Sequence, residues 1–277
     1  MKSLPAPAAL IAGGGALPGE VARRMTEAGI DVTVYSFTPG VVFPGLPRER
    51  VAPLLSLPGA DGRLSLRALA SDLAARGIRS VGMAGLIPKT VMYGGALDEA
   101  LKDLLEDGGN DDHALLGRVT GAIESLGLKV FHYSEFLGDS LAAEGFIAGR
   151  TFTGREAADI GYGKKILAAT LPLSFGQAVV VAGGAVAAVE AMEGTDKMIR
   201  RAGELLKGSG GAVVKMMRPD QDSRYDIPAA GPGTLREMAR AGLTALALEA
   251  GRVIILERDE FSSLAARFSI AVEGITP

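Results

Sequence analysis

Cysteine is absent from this 277-residue chain. The absence excludes a disulfide framework, a cysteine-based zinc site and a thiol nucleophile together. It also fits a reducing compartment. Histidine occurs only twice, and His113 has no second histidine at ligand spacing, so an imidazole metal centre is not expected. The formal charge is −3 and no block rich in Lys or Arg occurs, which leaves no electrostatic case for nucleic acid. Charge is missing altogether between Lys165 and Glu190, a stretch long enough on paper to span a bilayer. Pro172, Gly176, Gln177 and the Gly183-Gly184 pair interrupt it, and its pattern turns from helix-like to strand-like midway. A buried helix end followed by a core hairpin is the expectation. The opening Met-Lys-Ser-Leu-Pro-Ala-Pro is too Pro-rich and too short in apolar run for a signal peptide, so a cytoplasmic location is expected.

What is present is apolar and rich in glycine: 48% hydrophobic residues and 38 glycines. The length of the chain suits two modest domains, or one large one, and allows a proper core. Residues 8–12 read as a short apolar strand running into Gly13-Gly14-Gly15-Ala16-Leu17-Pro18. Leu17, Val21, Ala22, Met25 and Ala28 then recur at helical intervals, with Pro18 near the first helical position. Strand, glycine-rich turn and helix form the opening of a nucleotide-binding α/β unit. A tight β-α turn that simply needs small residues is the plainer reading. As a dinucleotide fingerprint the turn is incomplete. Its spacing is Gly-x-Gly-x-x-Pro, and no acid ends the next strand, 32–37, to hold a ribose. No Gly-Lys-Ser/Thr follows, so it is not a Walker A loop.

Further on, helix and strand patterns alternate. Leu64, Leu66, Leu69 and Leu73 mark a helix; 81–84 a strand ending at Gly85-Leu86-Ile87-Pro88-Lys89. Helices follow over 96–105 and from Asp111, then a strand at 130–133. Such alternation implies a parallel sheet with ligands at the strand C-termini, where Gly13, Gly14 and Gly85 fall. Regularity is lost over 138–152. The expected organisation is therefore a Rossmann-like parallel α/β domain over 1–137, a linker over 138–152 and a mixed α/β domain over 153–277.

The second half opens on Thr153-Gly-Arg-Glu156, a capping-box pattern ahead of a helix to about residue 169. Two β-type runs flank Gly183-Gly184 and predict a hairpin. Beyond it Glu190, Glu193 and Asp196 fall within seven positions, just before a helix whose N-cap is expected at Thr195 or Asp196. Three carboxylates and a helix N-terminus in one turn suit a divalent cation or polar ligand groups, or are only a capped helix start with solvated acids. Lys215 sits inside an apolar strand over 211–218. It is read first as an edge or outward-pointing residue, otherwise as a buried phosphate ligand. A polar loop dense in acids, from Pro219 through Arg224, Tyr225 and Asp226, leads to a helix over 234–241. Strands at 245–248 and 253–257, a helix capped by Asp259 and a strand at 270–272 complete the chain.

The ordered set Ile11-Ala-Gly-Gly-Gly-Ala-Leu-Pro18, Asp111-Asp-His-Ala-Leu-Leu116, Val189-Glu-Ala-Met-Glu-Gly-Thr-Asp196, Lys215 and Arg224-Tyr-Asp-Ile-Pro228 resembles the LpxI family. The resemblance covers essentially the whole chain, and the Glu-Gly-Thr-Asp turn with the downstream Arg-x-Asp-x-Pro is its most specific part. It implies a magnesium-dependent pyrophosphatase of lipid A biosynthesis. Such an enzyme cuts UDP-2,3-diacylglucosamine to UMP and 2,3-diacylglucosamine 1-phosphate (lipid X), with water attacking the α-phosphorus. By motif the family's essential aspartate falls on Asp226. The resemblance places substrate between the domains, met by Gly13, Gly14, Leu17, Gly85 and Asp112 in the first half. In the second half Gln177, Glu193, Gly194, Thr195, Asp196 and Lys215 would meet it, with Asp226 and Asp196 as Mg²⁺ ligands. Leu86-Ile87 stand where a more polar step would be expected. Glu190, still within the strand pattern, is read as structural. A UDP-linked diacyl lipid implies peripheral contact with the inner membrane surface, and a homodimer is compatible with the sequence. The competing readings are a non-catalytic nucleotide or nucleotide-sugar binding protein and, behind it, an NAD(P)-dependent dehydrogenase.

Overall fold

The computed structural model describes residues 4–43, 45–85, 97–106, 112–173, 176–219 and 227–277, apart from the side chains of 104–106 and 112–116. The chain is α/β and divides into two compact units, the first ending at Gly138 and the second beginning at Asp139.

In the first unit β1 (Ala8–Ala12), β2 (Val32–Ser36), β3 (Val51–Pro53), β4 (Ser80–Ala84) and β5 (Lys129–Val130) form one sheet in the order β3-β2-β1-β4-β5. Every pairing in it is parallel. β1, β2 and β4 are buried along their whole length, which is why they read as continuous apolar runs rather than alternating ones. Helices α1 (Leu17–Glu27), α2 (Leu66–Ala75), α3 (Glu99–Glu106) and α4 (Asp112–Ser125) belong to this unit. Ser65 caps α2 by accepting from the Ala68 N–H, and Pro18 stands in the first turn of α1 as its missing donor allows. The order reverses between β1 and β4, so their C-terminal ends form the switch point of the sheet.

Among the described residues the main sheet of the second unit has six strands: β6 (Gly145–Gly149), β7 (Ala178–Ala182), β8 (Ala185–Val189), β9 (Ala212–Lys215), β11 (Ala245–Glu249) and β13 (Ala271–Ile275). Their order is β6-β13-β11-β9-β7-β8, with a separate parallel pair of β10 (Ala229–Ala230) and β12 (Ile254–Ile255). β9, β11 and β13 run parallel; β7 is antiparallel to β9 and to β8, and β6 to β13. Residues 145–149 thus form a strand within the stretch read from sequence as a linker. They were hidden because glycines open and close the strand and Phe146 is exposed. Helix α5 (Gly154–Thr170) lies on β7 and β9, burying Ile160 and Leu167 against Val179, Val181 and Val214. The other face is covered by α6 (Thr195–Leu206), α7 (Pro232–Ala241) and α8 (Arg258–Arg267), through Met198, Ile199, Leu235, Met238 and Phe261. Each such side chain contributes roughly 1.5–3 kcal/mol on full burial.

Two sequence expectations are met closely. Gly183 and Gly184, both at positive φ, close the β7-β8 hairpin, and their N–H groups donate to the buried Asp159 carboxylate at 3.0 and 2.7 Å. The Thr153–Glu156 capping box is present in both directions. The described part of the uncharged stretch includes the end of α5, the buried strand β7 and β8, whose first residues are exposed, and no helix among the described residues is long and apolar enough to cross a membrane.

Glu156 does more than cap. Its carboxylate accepts from Arg150 at 2.7 and 2.8 Å and from Thr244 Oγ1 at 2.6 Å. Burial alone would raise its pKa; the bonds from Arg150, Thr244 and Thr153 outweigh that and hold it at about 2. A carboxylate depressed in the folded state contributes stability in full above the ordinary value of 4.5, and that stability disappears as pH falls toward 2. Glu156→Gln is therefore expected to lower stability at pH 7 by about 2 kcal/mol, since Arg150 keeps access to solvent, and by much less at pH 2.5. Urea unfolding at the two pH values checks this; an equal loss at both would contradict it.

Candidate functional site

At the switch point of the first unit the chain turns through glycine. Gly13 N–H donates to Ala84 O at 2.8 Å, which draws the turn after β1 against the end of β4. Gly85 has φ +86°, and a Cβ there would stand 2.6 Å from Gly14 O and from Pro18 Cγ. Gly13, Gly14 and Gly85 are therefore brought together at the N-terminus of α1, where backbone approaches backbone too closely for a side chain. Leu17 opens α1 and is buried. Asp112 begins α4, with its side chain outside the described residues. Residues 86–96, which include Leu86 and Ile87, also lie outside them.

In the second unit the parallel strands β9 and β11 end side by side, Leu248 opposite Lys215. Antiparallel β7 begins at that same end, with Ala178 opposite Lys215, and β8 finishes there, with Val189 opposite Val179. One end of the sheet thus gathers Gln177, Glu190, the Glu193–Asp196 turn, Lys215 and Glu249.

Lys215 is not on an edge. Its strand lies between β11 and β7, and the residue is only 8% exposed. Its ammonium donates to Thr195 Oγ1 at 2.9 Å and to Ala229 O at 2.8 Å. Both acceptors are neutral, and among the described residues no carboxylate pairs with it. Lys carries three donors, so one remains for a ligand. Thr195 Oγ1 donates in turn to Glu190 Oε1 at 2.7 Å, while Glu190 Oε2 accepts from Gln177 N–H at 3.0 Å.

This network changes how α6 begins. Its N-cap is Gly194, at φ +82° and ψ 165°, a conformation open essentially only to glycine. Gly194 has no side chain with which to cap the helix, and Thr195, the first helical residue, gives its hydroxyl to Glu190 and accepts from Lys215. The first N–H groups of α6 and the Lys215 ammonium therefore belong to one turn in which the helix N-terminus has no side-chain cap from its N-cap residue. Glu193 is drawn away, bonded to Arg201 at 2.6 Å, and the Arg201 bond holds its carboxyl below the usual range. Asp196 is exposed in the first turn of α6, with no hydrogen bond or ion pair among the described residues.

Asp226 lies outside the described residues, but the chain on either side of 220–226 is fixed. Glu249 is 1% exposed; its Oε2 accepts from Met217 N–H at 2.7 Å and its Oε1 from Arg252 at 3.2 Å. Arg252 also donates to Arg218 O at 2.6 Å. On the return, Ile254 N–H donates to Pro228 O at 2.8 Å and Leu256 N–H to Ala230 O at 2.9 Å. Sequence reading missed Glu249 and Arg252, since Glu-Ala-Gly-Arg looks like an ordinary turn. A carboxylate ending an otherwise apolar strand was the available signal.

The magnesium ion implied by the resemblance can be tested against these donors. Mg²⁺ uses one or two carboxylates and fills its shell with phosphate oxygens and water. Glu190 and Glu193 are committed to protein donors, while Asp196 is open to solvent. No cluster of three or more Asp, Glu or His suited to a metal occurs among the described residues. The set fits an ion held largely by substrate phosphate, and does not fit a closed protein cage.

Family models agree with this division of the chain. The LpxI N-terminal domain matches residues 7–140 and the LpxI C-terminal domain residues 143–273. A curated relative, the UDP-2,3-diacylglucosamine pyrophosphatase LpxI of Caulobacter vibrioides, is 31% identical over an alignment of 280 positions that covers 97% of each chain.

The close approach at Gly85 yields a stability prediction. Gly85→Ala should cost about 1–3 kcal/mol. Gly40→Ala, at φ +72° with nothing within 4 Å of the added Cβ, carries only the φ penalty and should cost less. Thermal unfolding of the two variants compares them; equal losses would contradict the contact.

Proposed function

The chain belongs to the LpxI family and is therefore a hydrolytic enzyme; on that premise we propose that it hydrolyses the pyrophosphate bond of UDP-2,3-diacylglucosamine, with Mg²⁺, to UMP and 2,3-diacylglucosamine 1-phosphate. The observation that carries this reading is the buried Lys215 ammonium. It is bonded to two neutral oxygens, has a donor to spare, and sits beside an uncapped helix N-terminus. A buried cation without a carboxylate partner is costly on its own, and the cost falls when an anion such as phosphate docks.

Hydrolysis of a phosphoanhydride asks little covalent chemistry of a protein. It needs charge neutralised on the phosphoryl oxygens and a water oriented for in-line attack. Here Lys215 and the first N–H groups of α6 hold phosphate oxygens. Asp196 and Asp226 would hold the Mg²⁺, which when bound would supply neutralisation of charge on the phosphate oxygens. Asp226 orients the water or takes its proton. The new bond forms between water oxygen and the α-phosphorus, the bond from that phosphorus to the bridging oxygen breaks, and the lipid 1-phosphate leaves. Gly13, Gly14 and Gly85 provide the closely packed backbone of a nucleotide-binding turn. A diacylated substrate implies working in peripheral contact with the inner membrane surface from the cytoplasmic side.

Purified protein should release UMP from the lipid substrate with Mg²⁺ and lose that activity with EDTA. Asp226→Ala should lower turnover by at least about a thousandfold while keeping the wild-type circular dichroism spectrum and melting temperature, in the range seen for loss of a catalytic group. Lys215→Met should lower it by about a hundredfold. Turnover by Asp226→Ala close to wild type would refute its catalytic role, and EDTA-resistant hydrolysis would refute the metal.

A further inference from the structure

We infer that Glu190 is a positioning residue that sets the direction of the hydrogen bonds reaching Lys215, and so turns the free N–H of that ammonium toward a phosphate ligand; the inference rests on the reading of Lys215 as a phosphate-binding residue. The argument is one of donors and acceptors. Glu190 is flanked by two donors, the Gln177 N–H on Oε2 and the Thr195 hydroxyl on Oε1. An ionised carboxylate accepts only, so both contacts are satisfied together. With its single proton given to Glu190, Thr195 Oγ1 can face Lys215 only as an acceptor, as the 2.9 Å bond shows. Ala229 O takes a second ammonium proton. The tetrahedral ammonium is thereby fixed at two corners, and its remaining donor has one direction left.

Glu190 also joins otherwise separate pieces of chain: the segment before β7 through Gln177, the end of β8, and the first turn of α6 through Thr195. Packing there leaves no slack. A Cβ on Gly176 would stand 2.1 Å from Glu190 O, so the Gln177 amide is pressed against this residue. The Glu190 charge stays one hydroxyl away from the Lys215 charge. It supports the ammonium without neutralising it by direct contact, and the ammonium remains able to pair with an incoming anion.

The isosteric change Glu190→Gln breaks the pattern while keeping the shape. An amide presents one acceptor and one donor group. The Gln177 N–H can only donate, so the amide oxygen turns to it and the amide NH₂ faces Thr195 Oγ1, which accepts it by turning its own proton away. Thr195 Oγ1 then receives a second donor beside the Lys215 ammonium, which weakens that bond and shifts the ammonium toward its other anchor, Ala229 O.

A double-mutant cycle read by calorimetric titration of UMP tests this. Glu190→Gln is expected to weaken UMP binding about tenfold in the wild-type background and less than about twofold in Lys215→Met, because the effect passes through the ammonium. If Glu190→Gln does not fold, as judged by circular dichroism and melting, Thr195→Val removes the relay hydroxyl and should show the same dependence on Lys215. Equal losses in both backgrounds would mean a general structural role and overturn the inference. So would no loss beside Lys215, or failure of the wild-type protein to bind UMP. Lipid hydrolysis is assayed separately: a protein that shows the coupling but leaves UDP-2,3-diacylglucosamine uncut sinks the hydrolase reading alone.

Discussion

A buried ammonium at the end of a central strand is the constraint around which the second unit is built. Lys215 lies between β11 and β7 with 8% of its surface exposed, where an unpaired charge is costly. Solvent cannot reach it well, and among the described residues no carboxylate meets it directly. Its partners are the hydroxyl of Thr195 and the carbonyl of Ala229. The negative charge nearest along the hydrogen-bond chain, Glu190, is one bond further on. Among the described residues such a centre is incompletely compensated, which suits an anion-binding site better than a structural ion pair.

Much of the surrounding fold serves to bring those partners in. The Gly183-Gly184 hairpin returns β8 to the end of the sheet where β7 began, so Glu190 comes beside Gln177. Gly194 then takes a backbone conformation unavailable to other residues, and the helix beginning at Thr195 points its free amides into the same turn. Across the sheet, Glu249 substitutes its side chain for a backbone acceptor and holds Met217 where β9 leaves the ladder. Arg252 and the β10–β12 pair fix both sides of the stretch that contains Asp226. In the first unit a different device operates: glycines at the ends of β1 and β4 allow main chains to approach at the switch point of a parallel sheet.

Local features were readable from sequence because their causes are local. A Gly-Gly step between two valine-rich runs can close a hairpin, and Thr153 three residues before Glu156 can form a capping box. The helix faces followed from periodicity. What could not be read was strand order, which depends on pairings distant in sequence. Lys215 appeared to be an edge residue because nothing near it tells that β11 covers one side and β7 the other. Thr195 appeared to be a helix cap because its type suits a cap; tertiary bonds to Glu190 and Lys215 took the hydroxyl instead, and glycine supplied the turn. The same gap explains Glu190 and Glu249. As letters they are acids at strand ends, and only the assembled sheet reveals which donors they meet. Recognition of Asp226 came from the motif resemblance, since a polar loop can be rich in acids for many reasons.

The proposed hydrolysis requires water to attack the α-phosphorus of a bound pyrophosphate. The most direct test is hydrolysis of UDP-2,3-diacylglucosamine in ¹⁸O-labelled water with Mg²⁺, followed by mass spectrometry of both products. One labelled oxygen in UMP and none in 2,3-diacylglucosamine 1-phosphate is the predicted result. Label in the lipid phosphate, or no cleavage by the folded protein, would contradict it.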